Sequence, residues 1–203
     1  MLLELLFTFT NSLINFQFSI RMVYIFLAEG FEAIETITPL DMLIRAGIEV
    51  NTISISDEFL VKSSQGIPVQ ADDLFENTDF SDAEMLILPG GQPGSTNLGK
   101  HKGLEALLRE AMAKNLPVGA ICAAPTVLGK HGLLQGRTAT CYPGCEAMLK
   151  GADCKETFVQ KDGNLITACG PAAAVEFAKA IISLLRGDEV TASVCEKMMF
   201  GRA

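Results

Sequence analysis

Residues 118–129 read VGAICAAPTVLG. A short apolar run, 118–121, meets a cysteine at 122, and a helical pattern follows over 123–133. Four apolar or small residues bounded by turn signals predict a strand buried on both faces. The turn from strand to helix therefore falls on Cys122. Gly119, Ala120, Ala123 and Ala124 are small, as a tight turn requires. The arrangement has the mechanics of the G-x-S-x-G nucleophile elbow with different letters. A thiol at a helix N-terminus meets free N–H groups and the positive end of the helix dipole, and both favour the thiolate. A buried cysteine that is only a small hydrophobe would look the same in this stretch. The residues around it have to decide.

Working outward, short apolar runs alternate with helical periods. Strands are expected over 23–27, 49–55, 85–88, 118–121 and 138–141, and helices over 31–46, 104–114, 123–133 and 172–185. Pro39 is expected to bend the first helix. Gly47 and Gly187 are expected to end the first and last. Residues 60–70 suggest a short hairpin or an edge excursion, and KDGN, flanked by 158–160 and 165–168, suggests a hairpin. Strands alternating with helices predict an α/β fold, a mainly parallel sheet covered on both faces. Ligands in such folds bind beyond the carboxyl ends of the strands. Three of those ends are unusual: AEGFE after the first strand, PGGQPGS after Leu88, and Cys122.

The chain has 203 residues, 49% of them hydrophobic, enough for one large core, and a formal net charge of -8. No basic face is visible, which excludes a nucleic-acid surface. The acidity reads as solubility. The six cysteines, Cys122, Cys141, Cys145, Cys154, Cys169 and Cys195, form no tight disulfide framework. Cys141 and Cys145 would need two more ligands to hold zinc, and His101 and His131 lie in other segments. Reduced thiols in a cytoplasmic protein, with no metal, are the expectation.

The leader, residues 1–21, has no basic n-region or small-residue cleavage site, which argues against a signal peptide. Glu4, Asn11, Asn15 and Gln17 interrupt it, which argues against a membrane span. Met22 directly precedes the first strand. The expectation is a start at Met22 and one domain over 22–203. A membrane anchor or an ordered accessory element is the alternative for the leader.

The chemistry gathers at the strand ends. Pro89-Gly90-Gly91 exposes backbone N–H groups with no side chains in the way, and beside Cys122 these form an oxyanion hole. A plain glycine turn is the other reading. The run 94–100, GSTNLGK, resembles a phosphate loop, but His101 stands where Ser or Thr would hold magnesium. AEGFEAIET supplies Glu29, Glu32 and Glu35. Glu32 and Glu35, three apart, share one helical face. Glu32 suits a helix N-terminus, where acids are common. Glu35 lies deeper in an apolar stretch. A carboxyl group beside a thiolate keeps its proton and hydrogen-bonds the sulfur. Cys122 is accordingly expected to titrate below the other thiols, and Glu35 above an ordinary carboxylate.

These residues together resemble the DJ-1/ThiJ/PfpI family, nearest the branch of the Parkinsonism-associated deglycase and its bacterial relatives. The likeness rests on Glu35 in E-x-x-E-T, the PGG turn and A-I-C-A-A-P, and extends to RAGIEV, KDGNLIT and GPAAAVEFA. It implies a flavodoxin-like three-layer sandwich, commonly homodimeric, with the first helix near the partner. It implies that Cys122 is the reactive cysteine and Glu35 its partner acid, with Gly90, Gly91 and Ala123 the backbone positions around the thiolate. Ala123 stands where protease-like members carry histidine, so a Cys–His dyad of that kind is absent. Tyr142 stands where the deglycase has a pocket histidine. Tyr142 and Glu32 are the further pocket candidates. Arg45 matches an arginine near the family's dimer interface, and Gln65 replaces a second one. The implied activity is a cofactor-independent, cysteine-dependent conversion of small reactive carbonyls or their adducts, of the glyoxalase or deglycase type, with a stress-protective role. The alternative uses the same thiol as a redox sensor or chaperone-like protector. A glutamine amidotransferase would need a distant His-x-Glu pair, and none follows His131.

Overall fold

The computed structural model describes residues 21–200; the leader expectation concerns a segment that, except for Arg21, lies outside them. β1 (Met22–Leu27) is buried from Val23 onward. Val23, Ile25 and Leu27 belong to one core cluster and Tyr24 and Phe26 to another, so the strand's two-residue alternation feeds both faces of the sheet. α1 (Ala33–Arg45) follows and runs unbroken through Pro39. β2 (Glu49–Ser54) pairs with β1 in parallel. β3 (Leu60–Lys62) and β4 (Pro68–Gln70) form a short hairpin rather than an edge excursion, apart from the main sheet. The short β5 (Asp73–Leu74) then adds to the edge beside β2.

β6 (Ala83–Leu88) is followed by two helices, α2 (Gly94–Leu98) and α3 (Lys102–Ala113). The stretch that resembles a phosphate loop is thus largely α2. His101 caps α3, its Nδ1 accepting the N–H of Leu104 at 3.0 Å. β7 (Val118–Ile121) leads to α4 (Pro125–Lys130), which is shorter than the predicted 123–133. Proline takes its first position, His131 caps its end, and Gly132 turns the chain at φ +70°.

β8 (Thr138–Ala139) stops two residues before the expected end and pairs with β9 (Asp153–Cys154), outside the main sheet. The amide of Thr140 turns instead to the Thr167 hydroxyl at 2.8 Å. β10 (Val159–Asp162) and β11 (Leu165–Ala168) form the second predicted hairpin. α5 (Ala174–Arg186) ends at Gly187, φ +86°, as expected. A further helix, α6 (Asp188–Lys197), then starts; it buries only Val194, so its sequence carries no clear apolar stripe.

The main sheet runs β10-β11-β7-β6-β1-β2-β5, and every neighbouring pair is parallel except β10 with β11. Met42 and Leu43 of α1, with Phe177, Ile181 and Ile182 of α5, cover one face. Leu104 and Leu108 of α3, with Val127 and Leu128 of α4, cover the other. The result is the three-layer α/β sandwich that the alternating pattern predicts. Among the described residues no helix is long and apolar enough to cross a membrane.

Candidate active site

In the sheet order β7, β6 and β1 are consecutive. All three are parallel, so their C-terminal loops emerge side by side. These are the three stretches singled out in the sequence: 28–32, 89–95, which runs on into α2, and the turn at Cys122. Their backbones lock together. Glu32 donates its N–H to Gly90 O at 3.0 Å, and Gly94 donates to Gly30 O at 3.2 Å. Gly91, at φ +90°, passes so close that a Cβ there would lie 2.5 Å from Gly30 O and 2.6 Å from Glu32 N. Only glycine meets both demands.

Glu35 stands in the first turn of α1 and is fully buried. Its position is set from two sides. Glu32 caps the helix, its Oε2 accepting the Glu35 N–H at 2.7 Å. Gly90 donates its own N–H to Glu35 Oε2 at 2.9 Å. The other carboxyl oxygen, Oε1, is buried with no hydrogen-bond partner, and the carboxyl group lies beside the Cys122 thiol. Glu32 therefore serves as a helix cap, with its own side chain buried.

Cys122 takes φ +64°, a left-handed conformation that costs a non-glycine residue energy. Its backbone is held on both sides: its N–H donates to Ala168 O at 2.8 Å, and its carbonyl accepts the N–H of Tyr142 at 2.8 Å. The Thr126 hydroxyl donates to Ala123 O at 2.6 Å and fixes the next peptide. The strained turn points the thiol at Glu35, while the N–H groups of Gly91 and Ala123 donate to the sulfur. The helix proper starts only at Pro125. The stabilising groups are thus two particular amides rather than a helix dipole.

Electrostatics make Cys122 and Glu35 one titrating unit. Burial, and after it the charge of Glu32, pushes Glu35 up to about 7, against the hydrogen bonds from Cys122 and Gly90. Burial, and after it Glu35, pushes the thiol up to about 12, against the two amides. The expected rise at Glu35 is present. The expected fall at Cys122 is not, because burial and the neighbouring carboxylate outweigh two N–H donors. The pair therefore holds one proton and one negative charge between about 7 and 12. When Glu35 keeps the proton, the charge rests on the sulfur, facing Gly91 and Ala123.

Cys122, Glu35, Gly90, Gly91 and Ala123 are thus brought together. Tyr142 joins them through its backbone; its ring is half exposed and lies against Gly170. No residue type announces the contributions of the Tyr142 N–H and the Ala168 carbonyl, both backbone contacts between distant segments. The two histidines are elsewhere. His101 caps α3, and His131 is buried with Nδ1 3.2 Å from Glu105 Oε1. Among the described residues, no group of three or more His, Cys, Asp or Glu side chains is placed to hold a metal ion.

The fold and this constellation define a class: an α/β sandwich that presents a buried thiol on a strained elbow against a buried acid. The chain belongs to the DJ-1/PfpI family, whose model matches residues 21–184. It is 35% identical over 178 residues to the Parkinson disease protein 7 homolog of Danio rerio, spanning 86% of this chain and 94% of that one. It is 31% identical over 175 residues to the glutathione-independent glyoxalase DJR-1.2 of Caenorhabditis elegans, spanning 86% and 93%. The structure of oxidized DJ-1 from Toxoplasma gondii superposes with a TM-score of 0.84 at 31% identity, covering 89% of this chain and 99% of that one.

Proposed function

We propose that the chain is a cofactor-independent thiol enzyme that converts small reactive carbonyls such as methylglyoxal, or their adducts on amines and thiols, in the manner of a glyoxalase or deglycase. The observation that carries this reading is the buried Glu35–Cys122 pair, bridged by Gly90 and sharing one proton. The Cys122 thiolate attacks the aldehyde carbon, and the carbonyl oxygen takes a proton to give a hemithioacetal. The N–H groups of Gly91 and Ala123 lie beside the sulfur and steady the oxyanion as it forms. Glu35 then removes the proton from the former aldehyde carbon and returns it to the adjacent carbon through an enediol. The product is a lactoyl thioester, which water cleaves to lactate and free Cys122. The relative named as a glutathione-independent glyoxalase supports this chemistry.

The test is lactate formation from methylglyoxal by the purified chain and by Cys122→Ala. Turnover lost in the variant supports the proposal; equal turnover in both sinks it.

A second reading is favoured by Glu35 Oε1, buried and without an oxygen or nitrogen partner. Protonated, Glu35 would hydrogen-bond an oxygen added to the sulfur, and Cys122 would then serve as a peroxide sensor. Selective addition of two oxygens at Cys122, without carbonyl turnover, separates the two.

For assembly we propose a homodimer through α1. Ile34, Ile37 and Ile44 leave an exposed apolar stripe on the helix that carries Glu35.

A further inference from the structure

Away from Cys122, three other cysteines pack on the opposite core cluster. Cys141 is buried there, and Cys145 and Cys154 lie partly buried against it. β8 and β9 pair in parallel with Ala139 opposite Cys154, and Lys155 donates its N–H to Ala139 O at 2.8 Å. Cys141 follows two residues after Ala139. The chain thus brings Cys141 back over the end of β9, and its thiol lies beside that of Cys154 in the same core cluster. The two are thirteen residues apart and meet only because this small ladder forms.

We propose that Cys141 and Cys154 are a second oxidisable site, a dithiol that peroxide converts to a reversible disulfide. Cys154 is the more exposed and reacts first. Its thiolate attacks one oxygen of hydrogen peroxide, and the O–O bond breaks. The sulfur becomes a sulfenic acid, and the departing hydroxide leaves as water with a proton from solvent. Cys141 then gives up its proton and attacks that sulfur, the S–O bond breaks, and a second water leaves. Two thiols and one peroxide become one disulfide and two waters, with sulfur oxidised and peroxide oxygen reduced. Burial, and after it Cys154, pushes the Cys141 thiol up to about 12, which suits it to the second step rather than the first.

The placement ties the pair to the elbow. Thr140 is anchored to Thr167 at 2.8 Å, and Tyr142 donates its N–H to the Cys122 carbonyl at 2.8 Å. Cys141 sits between these two anchors, so the disulfide would fasten the segment behind Cys122 to β9. Disulfide formation itself does not require Cys122 to turn over a carbonyl.

The test uses the full chain in a Cys122→Ser background, treated with hydrogen peroxide, then denatured, alkylated with iodoacetamide and mapped by non-reducing peptide mass spectrometry. The expected result is a linked Cys141–Cys154 peptide, lighter by two hydrogens than its reduced parts and released by dithiothreitol. Cys145→Ser should keep the link, and Cys154→Ser should leave Cys141 alkylated. The proposal is overturned if Cys141 and Cys154 both remain alkylated at a peroxide dose that fully oxidises Cys122 in the unsubstituted chain. It is equally overturned if Cys141 links to Cys145. The peptide map of the background protein decides even where Cys154→Ser fails to fold.

Discussion

Gly90 donates its N–H to Glu35 Oε2 at 2.9 Å, and this bond holds the acid against the thiol. A Cβ built on Gly90 would lie 2.5 Å from that oxygen, 2.6 Å from Cys122 Cβ and 2.9 Å from Ile121 O. The residue is a spacer whose lack of a side chain sets the separation of the pair. Gly90→Ala should therefore cost about 1–3 kcal/mol through overpacking. It should also lower kcat more than Gly132→Ala, where no atom lies within 4 Å and only the φ of +70° is strained. Thermal melts and methylglyoxal kinetics on both variants check this. A Gly90→Ala protein with unchanged kcat would show that the spacing does not matter.

The raised Glu35 gives stability a definite pH dependence. The folded chain holds this proton up to about 7, whereas an unfolded glutamate releases it near its ordinary value of 4.5. Between those values the folded state binds more protons, so stability falls as pH rises through the window. The conversion of about 1.4 kcal/mol per unit makes the loss up to roughly 3 kcal/mol. Glu35→Gln has no charge to bury and can still accept from Gly90. It should be more stable than the parent at pH 8 and close to it at pH 4.5. Its turnover should fall by about 100- to 10,000-fold, the usual worth of a general acid–base. Denaturant melts at the two pH values read the first effect. A variant less stable at pH 8 would contradict the burial argument.

Much of this arrangement is legible in the sequence because it is local. The run before Cys122, the PGG turn and the acid pair at 32 and 35 each mark a strand end by composition, and parallel order puts strand ends together. What is not legible comes from contacts between distant segments. The φ of Cys122 is imposed by the Ala168 carbonyl and the Tyr142 N–H, two groups every residue carries. The titration of Cys122 depends on how completely the chain closes over it, which no residue type reports. α6 escapes notice because it buries one side chain, and β8 is short because Thr140 prefers a side-chain partner.

The exposed stripe on α1 predicts the behaviour of the chain in solution. Ile34, Ile37 and Ile44 are 53%, 42% and 56% exposed, three isoleucines spaced to share one helical side. A partner over them would bury apolar area next to the turn that carries Glu35. Ile37→Glu should convert a dimer to monomers in sedimentation velocity, with its far-UV spectrum unchanged. A parent chain that sediments as a monomer at micromolar concentration would rule out this interface.

Glu32 offers the sharpest separation of positioning from chemistry. It is buried, yet its carboxylate is occupied by the Glu35 N–H at 2.7 Å, and its backbone carbonyl accepts the Thr36 hydroxyl at 2.9 Å. Its task is to start α1 at a fixed point and so to fix where Glu35 begins. Glu32→Ala removes the cap and should cost about 1 kcal/mol of stability. It also removes the nearby negative charge that helps raise Glu35, so the acid should titrate lower than in the parent. Glu32→Gln keeps an oxygen for the cap but removes the charge. The two variants should therefore shift the acidic limb of the kcat/KM profile to lower pH alike, while only Glu32→Ala melts earlier. If Glu32 instead moved protons during turnover, Glu32→Gln would lose kcat as severely as Glu35→Gln. A pH–rate profile for the three proteins, with melts alongside, distinguishes a cap from a catalyst.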